Sequence, residues 1–141
     1  MSEAETKLSP SRPYLARAIY EWICDNKLTP YLLVDATYPN TIVPEQFVQE
    51  GQIVLNIVPH AVHALQISNE DIQFSARFAG VSRNIYVPFA AVLGLYAREN
   101  GQGLFFDPNE YSDIQAVEDE VKLEQEENQN SKKKPSLRLL D

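Results

Sequence analysis

The sequence predicts an α+β chain that is mainly β. One N-terminal helix leads into six or so short strands, which form a small sandwich or a partly open barrel, and a disordered tail follows. Three observations carry this reading. Apolar residues recur at helical spacing only near the start, at about 13–26. From Tyr31 to Phe106 the dominant period falls to two, broken by turn residues. Beyond Pro108 the apolar periodicity collapses.

The opening residues 1–11, MSEAETKLSPS, are polar and read as a frayed, disordered terminus. In PYLARAIYEWICDN (13–26), Pro13 suits a first helical turn, with Ser11 or Arg12 near the cap. Leu15, Ala18, Ile19, Trp22 and Ile23 make one helical face, and Ala16, Tyr20 and Cys24 lie beside or opposite it. A helix covering one sheet edge needs one apolar stripe. The second stripe implies either a deeply buried helix or contact with another chain.

YLLVDATY (31–38) then reads as a strand, PNTIVP (39–44) as a turn and a short extended piece, and EQFVQEG (45–51) as a short helix or loop. QIVLNIV (52–58) is a strand and PHAVHAL (59–65) a connector. In DIQFSARFAG (71–80), Ile72, Phe74, Ala76 and Phe78 alternate with Gln73, Ser75 and Arg77, the signature of a half-buried strand. SRNIYVPF (82–89) is another strand. VLGLYARENGQGLFFD (92–107) reads as two strands closed by the Asn100–Gly101 turn. AAVLGLYA (90–97) has helical propensity, but Gly94 inside it and the turn just after it favour a strand.

The 141 residues leave room for one domain and a remainder, and the net charge of −8 is unevenly spread. Residues 1–106 carry ten acids against seven bases, and residues 107–131 carry nine acids and one lysine. The last ten residues carry four bases and one acid. Phosphate binding needs a basic face, so this balance argues against direct nucleic-acid binding. The single Cys24 forms no internal disulfide, and there is no signal peptide, so a cytoplasmic setting is expected. No run approaches the roughly 20 apolar residues of a membrane span. Residues 113–134 lack aromatics and are rich in Glu, Gln, Asn and Lys, too polar to offset the entropy of ordering a chain.

Catalytic signals are weak. His60 and His63 have a spacing that two ligands on a helix can share, but neither has an acidic or cysteine partner nearby in sequence. Asp35 has no obvious acid–base mate. Cys24 sits among apolar residues, which raise a thiol pKa and quench its reactivity. ENGQG lacks the Lys-Ser/Thr of a phosphate loop. No enzyme, metal or cofactor is therefore expected. Arg77 lies on the polar phase of its strand. Arg83 follows the small residues of AGVSR, where another backbone can approach closely and a guanidinium can hold a carboxylate, although the pattern alone favours a solvated strand face for both arginines. The tail KKKPSLRLLD has leucines with no reason to end a solvated segment unless a partner binds them.

RPYLARAIYEWICDNKLTPYLLVDATYP, GQIVLNIVP, QFSARFAGVSR and LYARENGQG resemble the stringent starvation protein B family, SspB, adaptors of the ClpXP protease. KPSLRLLD resembles that family's ClpX-docking terminus, although the chain ends in Asp141 where a basic or neutral residue is expected. The resemblance implies an Sm-like or SH3-like homodimer with a peptide-binding domain at 12–110, a disordered acidic linker at 111–131 and a docking motif at 132–141. The cargo it implies is the ssrA tag on stalled chains, with an RseA fragment among other substrates and the ribosome as a further partner. The tail would bind the zinc-binding N-terminal domain of ClpX. It places peptide contacts at Phe47, Val48, Asn56, Val58, Ala76, Arg77, Phe78, Ala79 and Gly80, with Arg77 as a polar clamp. Docking contacts fall at Pro135, Leu137, Arg138, Leu139 and Leu140, and a dimer interface at Leu15, Ile19, Tyr20, Trp22 and Ile23. The rival from another class is an Sm-like or OB-like RNA-binding module, which the acidic body disfavours. A small hydrolase lacks a nucleophile and base.

Overall fold

A computed structural model describes residues 8–107 and Tyr111. The chain divides into two compact units, Met1–Phe106 and Asp107–Asp141. The elements below belong to the first. The docking residues Pro135, Leu137, Arg138, Leu139 and Leu140 and the acidic linker beyond Tyr111 lie outside the described residues, as does most of the polar N-terminus.

Helix α1 spans Arg12–Asp25, with Pro13 in its first turn and Ser11 at the N-cap. Ser11 caps with its backbone: its carbonyl accepts the N–H groups of Tyr14 and Leu15, both at 3.0 Å. At the other end Lys27 takes a left-handed conformation, φ 62. That turn lets Lys27 N–H reach the Cys24 carbonyl at 2.9 Å and Leu28 N–H reach Ile23 at 3.1 Å, a Schellman closure.

The strands are β1 Pro30–Asp35, β2 Gln52–Asn56, β3 His63–Ile67, β4 Asp71–Phe78, β5 Val81–Pro88, β6 Val92–Ala97 and β7 Gly103–Phe105. They form a four-stranded sheet ordered β2-β1-β6-β7 and a three-stranded sheet ordered β3-β4-β5, all pairs antiparallel. The sheets do not close on each other, as expected of a partly open barrel or sandwich. Leu32, Val34, Ile53, Leu55, Ile57, Ile72, Phe74, Ile85, Val87, Phe89 and Leu95 are at most 4% exposed and form the core. Strand assignment at 92–97 holds against helical propensity, and packing explains it. A Cβ on Gly94 would stand 2.5 Å from the Phe105 ring, so any side chain there would have to displace that ring.

α1 is tied to both sheets. The buried Arg12 donates to the carbonyls of Val92 at 2.8 Å and Phe89 at 3.3 Å, and its guanidinium lies 4.8 Å from the Phe106 ring centroid. Arg17 donates to the Ile67 carbonyl at 3.0 Å and to Asn69 Oδ1 at 2.9 Å. Tyr20 Oη donates to Ile57 O at 3.2 Å.

Three expectations change. The inward stripe of α1 is Arg12, Ala16 and Ile23, with Tyr20 half-buried. Of the face read from the sequence, Leu15 and Trp22 stay 44% and 46% exposed, and only Ile23 is buried. An interface role for Ile23 is replaced by a core role, because its position turns it onto the sheet. Residues 63–65, read as the end of a connector, open β3, which runs on to Ile67. Ala79 and Gly80, read as strand, are the turn between β4 and β5, with φ 53 and 81. Positive φ at both central residues is the twist that a two-residue hairpin demands.

Candidate peptide-binding site

The β4–β5 hairpin outruns the core it is built on. Its register pairs Ile72 with Val87, Phe74 with Ile85, Ala76 with Arg83 and Phe78 with Val81. Side chains two apart share a face, so all eight lie on one side of the hairpin. The first four are buried; Ala76, Arg83 and Phe78 are half-buried, and Val81 is 54% exposed at the tip. The inner face thus grades from sealed core into an open wall of apolar and small residues.

A second wall comes from the segment after β1. Ile42 exchanges two backbone hydrogen bonds with Tyr86 on the free edge of β5, at 2.8 and 3.1 Å. The chain then turns at buried Pro44 into a single 3₁₀ turn, Glu45–Phe47. Phe47, 44% exposed, ends over the hairpin tip with its ring centroid 6.1 Å from that of Phe78. Val48 follows it and helps line a shallow depression of about 330 Å³ with Ala36, Thr37, Thr41, Val43 and Glu45. Thr41 Oγ1 is buried there without a hydrogen-bond partner among the described residues.

Phe47, Ala76 and Phe78 therefore come together, with Val48 beside them. Arg77 does not join them. It alternates to the outer face, is exposed, and donates to Gly80 O at 3.3 Å across its own turn. Ala79 and Gly80 shape the turn rather than a wall. The inner-face cation is Arg83. Val81 was missed by sequence reasoning; pairing Phe78 with Val81 across a two-residue turn would have found it.

Asn56 and Val58 sit at the far end of β2. The backbones of Ile57 and Gly51 bond to Pro30 at the start of β1 and to Ala36 just past its end, at 3.0 and 2.8 Å. By antiparallel alternation the N–H and C=O of Val54 and Asn56 point the other way, along the free edge of the sheet. Asn56 Oδ1 accepts from Val58 N–H at 3.0 Å, fixing the exit from the strand.

A model of the family described as SspB, stringent starvation protein B, matches residues 10–138. The chain belongs to the SspB family. A curated SspB relative, the stringent starvation protein B homolog of Haemophilus influenzae, is 46% identical over 149 residues, covering 97% of this chain and 99% of the relative. The SspB family match takes in α1, both sheets and, in the tail, Pro135, Leu137 and Arg138; Leu139 and Leu140 lie past its end.

Elsewhere on this SspB-family chain the polar groups have local duties. Asp35 Oδ1 accepts from Thr37 N–H at 2.9 Å and Thr37 Oγ1 at 2.6 Å, which caps the end of β1. His60 and His63 are exposed, and no group of three potential metal ligands forms among the described residues. Burial pushes the Cys24 thiol up, and burial together with Cys24 pushes Tyr20 up to about 12, so both stay protonated at neutral pH. No helix among the described residues is long and apolar enough to cross a membrane.

Proposed function

We propose that the chain is a non-catalytic adaptor for the ClpXP protease. On this reading an ssrA-tagged polypeptide lies extended between Phe47 and the β4–β5 tip, and the tail binds the zinc-binding domain of ClpX. The acidic segment between them acts as a tether. The observation that carries the cargo half is the open wall of Phe47, Phe78 and Val81 around small Ala76. Large apolar groups left in water beside a small floor residue suit a peptide backbone with alternating side chains. The unpaired edge groups of Val54 and Asn56 support an extended ligand as well.

The tail half rests on sequence. Three lysines steer, a proline stiffens and three leucines supply buried area, and the SspB family match extends into this motif. The exposed stripe of α1 supports a homodimer. Leu15 and Trp22 form it with half-buried Ile19, and Ala18, Ile19, Trp22 and Gly101–Gly103 line a depression of about 640 Å³ beside it.

Two variants divide the roles. Phe47→Ala should weaken binding of a labelled ssrA peptide about tenfold by fluorescence anisotropy, because it removes a central aromatic anchor. Leu137→Ala with Leu139→Ala should leave that affinity unchanged and abolish the stimulation of ClpXP degradation of an ssrA-tagged fluorescent protein. Loss of tag binding in the tail variant would contradict the division.

A further inference from the structure

Arg83 stands out within the cradle. It pairs with Ala76 at the point where the hairpin's inner face passes from core to open wall, flanked by Ile85 below and by Phe78 and Val81 above. Its Nε is buried and makes no hydrogen bond, and no ion pair to its guanidinium forms among the described residues. The chain's other inward arginine, Arg12, is bonded to two carbonyls. A guanidinium is always charged, and an N–H donor shut away from water without an acceptor is costly to keep.

We infer that Arg83 is the specificity-determining residue of the cradle, and that the cargo it selects is an extended peptide presenting a carboxylate. The inference rests on the cradle reading above. The Nε edge of a guanidinium offers two parallel N–H donors, a fork that matches the two oxygens of a carboxylate. Apolar walls on either side lower the local dielectric and strengthen the pair. They also discriminate, because a cargo lacking the acid would leave the buried Nε unpaired. Phosphate would also fit the fork, but residues 1–106 carry ten acids against seven bases, and such a body repels a polyanion more than it repels one carboxylate.

The test uses the full chain and two labelled peptides: the ssrA tag, and a copy in which every carboxylate, side-chain and terminal, is converted to its amide. Wild type should bind the acid form about tenfold or more tightly than the amide form, the range of a charge-assisted hydrogen bond. Arg83→Gln should lose that factor on the acid form and bind the amide form as wild type does, which also demonstrates that the variant is folded. Arg83→Lys, which keeps the charge without the fork, should retain part of the preference. Equal binding of both peptides by wild type overturns the inference while leaving the cradle standing, and this arm needs no variant. A preference that survives in Arg83→Gln overturns it too. If neither peptide binds wild type, the cradle itself is wrong and the inference goes with it.

Discussion

Glu99 accepts two hydrogen bonds from a single residue: Oε1 from the Thr29 N–H at 2.9 Å, and Oε2 from Thr29 Oγ1 at 2.7 Å. These bonds, the backbone one first, hold its carboxyl down at about 2 from an ordinary 4.5. A depressed carboxylate contributes stability that is fully present above the unfolded value and is lost as pH falls through the folded one. The difference in Tm between wild type and Glu99→Gln should therefore be constant above about pH 5 and should close as pH drops towards about 2; a gap that persists at the acid end would show that the carboxylate charge is not what Thr29 uses. No local sequence signal pairs positions seventy apart, so this clasp was not legible beforehand. The two arginines of the hairpin make the same point differently. Sequence offered both Arg77 and Arg83; alternation along β4 already turns Arg77 outward, and the turn at Ala79 and Gly80 is what brings Arg83 into phase with Ala76 and Phe78.

Elements were legible where side-chain period and turn chemistry agreed. α1, β2, β4, β5 and the β6–β7 hairpin stand close to where the pattern puts them. β3 was hidden because its sequence, His63–Ile67, has no clean alternation: Ala64 sits at φ 55 and the register with β4 shifts between His63 and Gln66, so the strand is bulged. The β4–β5 turn was hidden because its first residue is alanine, which gains nothing from a left-handed φ. Ala79→Asn should accordingly raise stability by about 0.5–1 kcal/mol in urea unfolding, since Ala79 is exposed and Asn tolerates φ 53. A loss would mean that the Ala79 methyl packs in some way its exposure does not suggest. For α1, an all-round apolar helix does not declare which stripe faces home; Arg12 and Arg17 decide it through carbonyls far along the chain. The exposed stripe sets its own test. If the chain forms the proposed homodimer, Trp22→Glu should shift it to monomer in sedimentation velocity with the protomer still folded, whereas Ile23→Ala should cost about 2–4 kcal/mol of stability as a core truncation. A Trp22→Glu protein that sediments as wild type would remove this face from the interface.

At the scale of the whole molecule, the charge distribution separates tasks that a single globule would mix. Residues 107–131 carry nine acids and one lysine, and on the proposed reading they serve as a tether whose like charges repel one another. Twenty-five such residues have an r.m.s. span of roughly 25–30 Å before charge extends them further. On the proposed reading, a cargo held by the body and a tail held by ClpX are confined together at an effective concentration on the order of millimolar. Modest affinity at each end then suffices, and none of the contacts has to be strong enough to prevent release. This makes linker length a weak variable and linker continuity a strong one. Closure entropy rises only as the logarithm of length, so doubling the segment with a second copy of residues 107–131 costs about 0.6 kcal/mol. The concentration of tagged substrate at half-maximal ClpXP degradation should rise by less than about threefold. Severing the segment, with body and tail supplied as separate chains at micromolar concentration, should return degradation to its unassisted rate. A doubled linker that abolished stimulation would mean that the acidic segment makes a contact of its own with the unfoldase. Stimulation that survived severing would mean that the body acts on its cargo without a tether.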